Sequence, residues 1–446
     1  MTMLEEPATP PAAARPADQS EPPVRRLLAA VERNPDLAAH RATCAAPPAP
    51  AFPRPDLISL VEQGGLRGRG GAAFPTAIKL SAVLRSAAAS GLRPRVIING
   101  TEGEPLSAKD EVLLSGAPHL VLDGAAWAAA AVAADQVLVA VDRVRSHAML
   151  ALDGARRQRT AAGEASPAVQ LRPAPSRYVA GEETALVRFL NGGPAKPPGS
   201  GPKPFERGVD GRPTLVLNVE TAAHLAQIMQ FGPARFRQAG TPAHSGTALA
   251  TVSGAVARPG VVEAPLGSPL ATLADLAGGL TARPQAVLLG GYYGAWLPAD
   301  ATAGVGWSDE QLQPWGARVG CGTVAIFPQD RCGLREVSRV LTWLAGQSAG
   351  QCGPCVHGLG SIAAGMQELA EGHADPTVVD RLRRWSAQVE GRGACRFPDG
   401  AVRFLRTALA VFAEDVHRHQ HGLACSPPSG DRYLLPIPDN GTEPWQ

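Results

Sequence analysis

The residues in this chain best placed for chemistry are Cys352-Gly353-Pro354-Cys355, with Cys395 about forty residues later. Two thiols three residues apart on a tight turn can grip one centre, and Gly-Pro between them sets that turn. Zinc, an iron–sulfur cluster and a redox-active dithiol all use this spacing, so on the motif alone the three stand open. Ser348-Ala349-Gly350-Gln351 precedes the pair. A helix is expected behind it over residues 358–371, and then Gly393-Ala394-Cys395-Arg396-Phe397.

A second feature is the glycine-dense run from Gly64 to Thr76, followed by Lys79. Glycines this close together let the backbone approach a ligand and turn its N–H groups onto an anion. Arg67, Arg69 and Lys79 add positive charge, and a helix expected over residues 76–89 would point its N-terminus at the same anion. A flexible surface loop is the bland alternative. The run is not a dinucleotide fingerprint, because no strand feeds it and the glycine spacing differs. Further along, a strand over residues 95–99 ends in Asn99-Gly100-Thr101-Glu102-Gly103-Glu104-Pro105. Two glutamates at a strand end suit a polar ligand as well as they suit solvent. Tyr178-Val179-Ala180-Gly181-Glu182-Glu183 opens another helix, where acidic residues also complement the helix dipole.

These segments need elements to hold them. Strands are expected over 95–99, 136–141, 170–173 and 213–219, alternating with helices over 124–134, 144–157 and 220–229, which is an α/β pattern. From residue 247 to 297 the texture changes to short strands over 248–253, 260–263 and 286–289 with a helix over 270–277, as in a small β-grasp module. Gly290 to Trp296 reads as a rigid turn, and residues 324–327 as a further strand. Residues 334–419 are mainly helical, with an apolar stripe at Leu334, Val337, Leu341 and Leu344. His417 and His419 in the last helix read as surface residues.

The chain has 446 residues, a net charge of +2 and seven cysteines. That length suits about three domains. The near-neutral charge points to no nucleic-acid partner and no direct membrane insertion. The longest apolar candidate, residues 125–141, is interrupted by Asp135 and Gln136 and falls short of a span. An odd cysteine number in a large chain argues against a disulfide framework, and a reducing cytoplasm fits best. No secretory h-region is visible at the start.

Taken together and in order, the motifs resemble the flavin-bearing, NADH-oxidising subunit of respiratory complex I, whose relatives serve NAD-linked hydrogenases and formate dehydrogenases. The resemblance rests on the Gly64 to Thr76 run with Lys79, the Gly-Glu-Pro loop, Tyr178 to Leu186, Asn218-Val219-Glu220-Thr221, the 247–297 module and the three cysteines, and it runs from about residue 56 to 419. It implies an NADH dehydrogenase that takes hydride from NADH onto FMN and passes electrons through an iron–sulfur cluster. It places FMN on Gly68, Arg69, Gly70, Lys79, Asn99, Glu102, Tyr178, Gly181, Glu182, Glu183 and Asn218. It places NADH on or near Phe74, Glu104, Lys203 and Phe205, and a [4Fe–4S] cluster on Cys352, Cys355 and Cys395. The implied organisation is a Pro/Ala-rich disordered arm (1–55), an FMN/NADH-binding α/β domain (56–240), a β-grasp, soluble-ligand-binding domain (245–330), a helical iron–sulfur domain (331–422) and a tail (423–446) read as unstructured. The implied partner is a thioredoxin-like [2Fe–2S] protein or a ferredoxin-type acceptor, within a multi-subunit complex that is cytoplasmic or peripheral on a membrane assembly. No side chain is required as nucleophile or general base.

The chain also departs from the pattern. Ala349 stands where the family has its first cluster cysteine, which leaves three thiolates and makes a [3Fe–4S] centre an alternative. Val356 replaces an arginine, Thr101 an aspartate, Leu217 the first of paired asparagines and Ala82 an aromatic. Lys203-Pro204-Phe205 stands for Lys-Pro-Pro-Phe. These changes touch the cluster, the flavin and the nucleotide alike, and they bear on NADH oxidation more than on the fold. They keep two other readings open: an FMN and iron–sulfur electron-transfer subunit that does not use NADH, and a silent assembly subunit.

Overall fold

The computed structural model describes residues 26–32, 36–49, 53–164, 167–372, 375–423, 433–439 and 443–446. The expected disorder of residues 1–25, and Cys425, lie outside them.

The first sheet holds β1 (Arg95–Gly100), β2 (Gln136–Asp142), β3 (Ala168–Ala174) and β4 (Thr214–Asn218) in the order β3-β2-β1-β4, all parallel. Val96, Ile97 and Ile98 of β1 are buried whichever way they point. Helices cover both faces, so an unbroken apolar run suits a central parallel strand. The helices over the sheet include Pro118–Val132 and Val219–Phe231. They pack so closely that any side chain at Gly124 would collide with the Ala222 carbonyl. The strand order reverses at β1, with β2 and β3 added on one side and β4 on the other, and the last paired residues of β1 and β4 are Asn99 and Asn218. A crevice outside the carboxyl ends of strands at such a reversal is where open parallel sheets bind ligands.

The second sheet contains β5 (Thr247–Gly254), β6 (Gly260–Pro265), β7 (Pro284–Leu289), β8 (Ala295–Pro298) and β9 (Thr323–Pro328), in the order β6-β5-β9-β7-β8. Only β5 and β9 pair in parallel. With the helix Leu270–Leu276 packed on it, this is the expected β-grasp arrangement. The sequence reading missed β8, because it is four residues long and follows a glycine-rich turn. Arg69 joins the two sheets. Its guanidinium is buried and donates to the carbonyls of Ser245 and Thr247, each at 3.1 Å.

The C-terminal region is a helical bundle built from Gly333–Gln347, Leu359–Glu371, Val378–Val389, Phe397–Val411 and Ala413–Gln420. His419 is buried in it, with Nε2 3.4 Å from the Cys332 sulfur, so the surface reading holds for His417 and not for His419. Among the described residues no single helix is long and apolar enough to cross a membrane. The one bent pair that passes by composition, Lys109–Gly116 with Pro118–Val132, turns through 97° at its break and has no exposed residue.

Two segments differ from expectation. Residues 26–49 are docked to the core. One carboxylate oxygen of Glu263 accepts the N–H groups of Arg26, Leu27 and Leu28 at 2.8–2.9 Å, capping the short helix Leu28–Val31. Arg41 grips Asp123 through two bonds of 2.8 Å each, and His40 reaches the same carboxylate at 2.7 Å. Residues 433–439 and 443–446 are also docked, through Tyr292 Oη to the Pro436 carbonyl at 2.5 Å, Trp343 Nε1 to Pro438 at 3.2 Å and Arg177 over the Trp445 ring. Proline content argues against internal regular structure, and it says nothing about docking by side chains and carbonyls.

Candidate functional site: a cavity at the strand reversal

A cavity of about 430 Å³ opens at the carboxyl ends of β1 and β4. Of the residues singled out from sequence, Arg69, Gly70, Asn99, Glu102, Glu104, Tyr178, Gly181, Glu182, Asn218 and Cys395 line it. Gly68, Phe74, Lys79, Glu183, Lys203, Phe205, Cys352 and Cys355 do not.

The walls are held by the protein itself. Asn99 donates to the Gly181 carbonyl at 2.8 Å and accepts from Thr101 N–H and hydroxyl, so Thr101 spends its side chain locally. A Cβ on Gly181 would lie 2.6 Å from the Thr101 hydroxyl, and one on Gly70 would lie 3.3 Å from Asn218 Cβ. A side chain at Gly181 would collide with the Thr101 segment, and one at Gly70 would crowd Asn218. Glu182 caps the helix Glu183–Leu190 through Oε2, which accepts Thr184 N–H at 3.0 Å and Ala185 N–H at 3.1 Å. Glu102 accepts the Ser107 hydroxyl and the N–H groups of Asp110 and Glu111, and so fixes the loop that carries Glu104.

The basic residues of the glycine run do not converge on an anion. Lys79 bonds Glu183 at 2.5 Å and the Val216 carbonyl at 2.8 Å, Arg67 reaches the Ala73 carbonyl, and Arg69 is committed to Ser245 and Thr247. The expected helix N-terminus is also closed off: Thr76 N–H donates to Leu66 and Gly68 N–H to Phe74. The run folds back on itself as a small hairpin that bridges Arg67 to Pro75. Only its tip, residues 69–72, meets the cavity. Phe74 is 51% exposed beside it, Phe205 packs against the α/β core, and Lys203 lines an adjoining depression of about 420 Å³ that shares Glu182, Pro197, Cys395 and Arg396 with the cavity.

The structure adds residues that the sequence reading passed over. Lys109 is buried under the cavity, with Nζ 2.9 Å from Asp110, 3.0 Å from Glu220 and 3.2 Å from Asn218. Burial works against its charge, but the surrounding carboxylates, Asp110 first, outweigh it and hold Lys109 above its ordinary range. Burial would likewise raise Glu220, yet the Lys109 charge keeps it low. Lys-Asp at the start of Lys109–Gly116 was visible as a charge pair, and its burial was not. Arg318, Arg396 and Arg403 stand at the rim, and the Arg318 side chain makes no hydrogen bond or ion pair among the described residues.

Glu104 accepts the Tyr178 hydroxyl at 2.7 Å and Tyr292 N–H at 2.8 Å. Burial pushes its carboxyl up to about 7, with the Tyr178 bond partly offsetting that. The folded value lies above the ordinary 4.5, so folding favours the protonated form. The resulting stabilisation is complete below pH about 4.5 and is lost as pH rises through about 7. Glu104→Gln should therefore lose less melting temperature than the parent between pH about 5 and about 8, a difference on the order of 3 kcal/mol. Equal slopes in a thermal melt series would remove the assignment of Glu104 as a buried, protonated acid.

The cysteines adjoin this cavity. Cys355 is buried in a π-turn, Pro354–Gly358, a conformation concentrated at functional sites. Burial, and then the neighbouring Cys352 thiol, push it up to about 12. Cys352, Cys355, Cys395 and Ala349 share one apolar cluster with Tyr178 and Tyr293. All three thiols are free. Among the described residues no three His, Cys, Asp or Glu side chains are placed to hold a single metal ion. An iron–sulfur cluster spreads its thiolates over separate irons, so this donor set suits a cluster better than zinc, with one thiolate fewer than a cubane takes. The cavity suits a flavin: it is large, glycine-walled at residues 70 and 181, and mostly apolar with a few fixed polar groups.

A ligand cavity at a strand reversal whose wall includes a cluster-type thiol places the chain among electron-transfer flavoproteins that carry iron–sulfur ligands in the same polypeptide. Residues 61–227 match the Nuo51 FMN-binding domain, 249–291 the SLBB domain, and 335–419 the NADH-ubiquinone oxidoreductase-F iron-sulfur binding region. The chain is 30% identical over 399 residues to the NADH-quinone oxidoreductase F subunit of Mycobacterium tuberculosis, covering 84% of this chain and 86% of that one. It is 30% identical over 388 residues to the protein of the same name from Streptomyces coelicolor, covering 83% and 84%. A crystal structure of an NAD+-reducing [NiFe]-hydrogenase in the H2-reduced state superposes with a TM-score of 0.80 at 30% identity, over 91% of this chain and 68% of that one. The chain belongs to the family of NADH-quinone oxidoreductase F subunits, with its FMN-binding, SLBB and iron–sulfur regions in order.

Proposed function

We propose that this chain is the NADH-oxidising flavoprotein subunit of a multi-subunit complex, with FMN in the cavity and an iron–sulfur centre on Cys352, Cys355 and Cys395. The observation that carries the reading is that Cys395 lines the cavity itself. Electrons would then pass from one site to the other without crossing the protein core. When bound, FMN supplies the conversion of a two-electron donor into single electrons.

The chain's own residues do the positioning. Gly70 and Gly71 at the hairpin tip line the cavity and would let the backbone approach the flavin. Asn99 and Gly181 set the width of the cavity. Glu182 keeps Oε1 without a protein partner among the described residues and so can accept from a ligand N–H or hydroxyl. Arg318 offers an uncommitted cation at the mouth for a phosphate. The Lys109, Asp110, Glu220 and Asn218 network holds the floor rigid. Lys79, Glu183, Phe74, Lys203 and Phe205 would act at the periphery of nucleotide binding.

The acceptor would be a separate protein, of the thioredoxin-like [2Fe–2S] or ferredoxin type, and the relatives' naming as subunits supports a peripheral place on a larger assembly. A second reading, a flavoprotein whose donor is not NAD, is favoured by the absence of Phe74, Lys203 and Phe205 from the cavity's lining. Anaerobic titration of the purified protein separates the two. Bleaching of the bound flavin absorbance by stoichiometric NADH is the expected result. Bleaching by dithionite alone would favour the second reading, and a colourless preparation that takes up no added FMN would leave an assembly role.

A further inference from the structure

Tyr293 stands where the cavity and the cysteines meet. It lines the cavity together with Cys395, and it packs in the same apolar cluster as Cys352, Cys355 and Cys395. Its ring lies 4.7 Å from that of Tyr178 and 5.5 Å from that of Phe397, the second residue after Cys395. Its hydroxyl finds no hydrogen-bond partner among the described residues, whereas the neighbouring Tyr178 and Tyr292 hydroxyls both have one. Tyr293 is half-buried at the cavity wall, so its hydroxyl is free to donate to a partner outside the polypeptide.

The seat of this ring is built into the neighbouring helix. Gly400 lies inside Phe397–Val411, where glycine costs a helix about 1 kcal/mol relative to alanine. A Cβ there would lie 2.5 Å from Tyr293 Cδ1 and 2.6 Å from Cγ, so the glycine makes room for the ring. The backbone is held as well, since Arg403 donates to the Tyr293 carbonyl at 3.0 Å. Burial, and then the nearby Cys395 and Cys355 thiols with Glu104 and Glu182, keep the phenol well above its ordinary range.

We propose that Tyr293 is a positioning residue for electron transfer, its ring filling the junction between the flavin cavity and the three cysteines and its hydroxyl donating to a sulfur of the iron–sulfur centre. The proposal rests on the iron–sulfur reading of Cys352, Cys355 and Cys395. A donor at a cluster sulfur stabilises the more negative, reduced state, so it raises the reduction potential. Tyr293→Phe keeps the ring and removes the donor.

The test is a redox titration followed by EPR on anaerobically reconstituted parent and Tyr293→Phe protein, with iron, acid-labile sulfide and FMN measured on the same samples. The expected result is unchanged iron, sulfide and FMN, with the reduced-to-oxidised ratio at fixed potential lowered about tenfold, equivalent to a midpoint about 59 mV more negative for one electron. Gly400→Ala, which displaces the ring without removing its hydroxyl, should shift the midpoint the same way, with a thermal melt to confirm that the bundle is intact. An unchanged midpoint in Tyr293→Phe overturns the proposal and leaves the iron–sulfur reading standing. Loss of the iron itself in Tyr293→Phe would make the hydroxyl a ligand and overturn the tuning role. A parent protein without acid-labile sulfide removes the iron–sulfur reading and this proposal together.

Discussion

Gly70→Val should leave a folded protein that no longer retains FMN. Gly70 lies at the tip of the glycine hairpin, on the cavity wall, and a Cβ there already stands 3.3 Å from Asn218 Cβ. Asn218 cannot retreat. Its amide donates to Asp110 at 2.6 Å, its oxygen receives Lys109 at 3.2 Å and Glu220 N–H at 3.0 Å, and it caps the helix Val219–Phe231. The two further carbons of valine must therefore enter the cavity. The hairpin is anchored away from the substitution, by Arg69 N–H on Thr221 at 2.8 Å and the Arg69 guanidinium on the β-grasp domain, so the strain stays local. Overpacking of this kind costs up to about 3 kcal/mol, which lowers affinity about 100-fold. Flavin fluorescence of the heat-released supernatant reports retention, and a melting profile reports the fold. Equal FMN in variant and parent would take the flavin out of this cavity.

The importance of Gly70 is legible in the sequence, because the density of glycines marks backbone approach whatever the fold. The direction of the charges around it is not. Arg69 and Lys79 sit in the run as obvious cations, yet one serves the β-grasp domain and the other pairs with Glu183. Sequence gives a side chain's charge and not the face it leaves from. Lys109 shows the converse. Adjacent Lys and Asp carry no mark of burial in a sequence, and only three-dimensional packing brings Glu220 from another helix against them. The strand ends Asn99 and Asn218 are readable because apolar runs stop there in polar turns. Their pairing across the switch in strand order needs the register. The ends of the chain mislead for a different reason. Proline and alanine report poor internal structure, whereas residues 26–28 are held by Glu263, more than two hundred positions away. Tyr293 falls inside a segment read as a rigid turn, since nothing in Gly-Gly-Tyr-Tyr-Gly reveals that the helix after Cys395 carries a glycine to receive the ring.

Ala349→Cys should make the iron–sulfur centre markedly more resistant to air. Three thiolates leave one iron of a cubane without a protein ligand, and an iron so placed is the first lost on oxidation, which yields a three-iron centre. Ala349 is 5% exposed and belongs to the same buried cluster as Cys355, with Cys352 and Cys395 packed against it. Its segment is fixed on both sides: Lys196 donates to the Ala349 carbonyl at 2.9 Å, and Gln351 donates to the Pro197 carbonyl at 2.7 Å. A cysteine here adds one sulfur atom in a position the backbone already holds, and as a small apolar residue it suits the buried surroundings. Changes in the ligand shell act on metal retention on the scale of 10- to 100-fold, so bleaching of the centre's visible absorbance in air should slow by about tenfold or more. The EPR spectrum should move in the same sense. The parent, oxidised in air, should give the signal of a three-iron centre, and the variant should stay silent until reduced and then give the signal of a reduced cubane. Iron and sulfide per chain should rise together. Cys355→Ser, made in both backgrounds, should abolish the centre in each, which ties the signal to these cysteines. Identical bleaching rates and identical iron content in parent and Ala349→Cys protein would mean that residue 349 does not face the centre, and the three-thiolate assignment would then have to find its fourth position elsewhere.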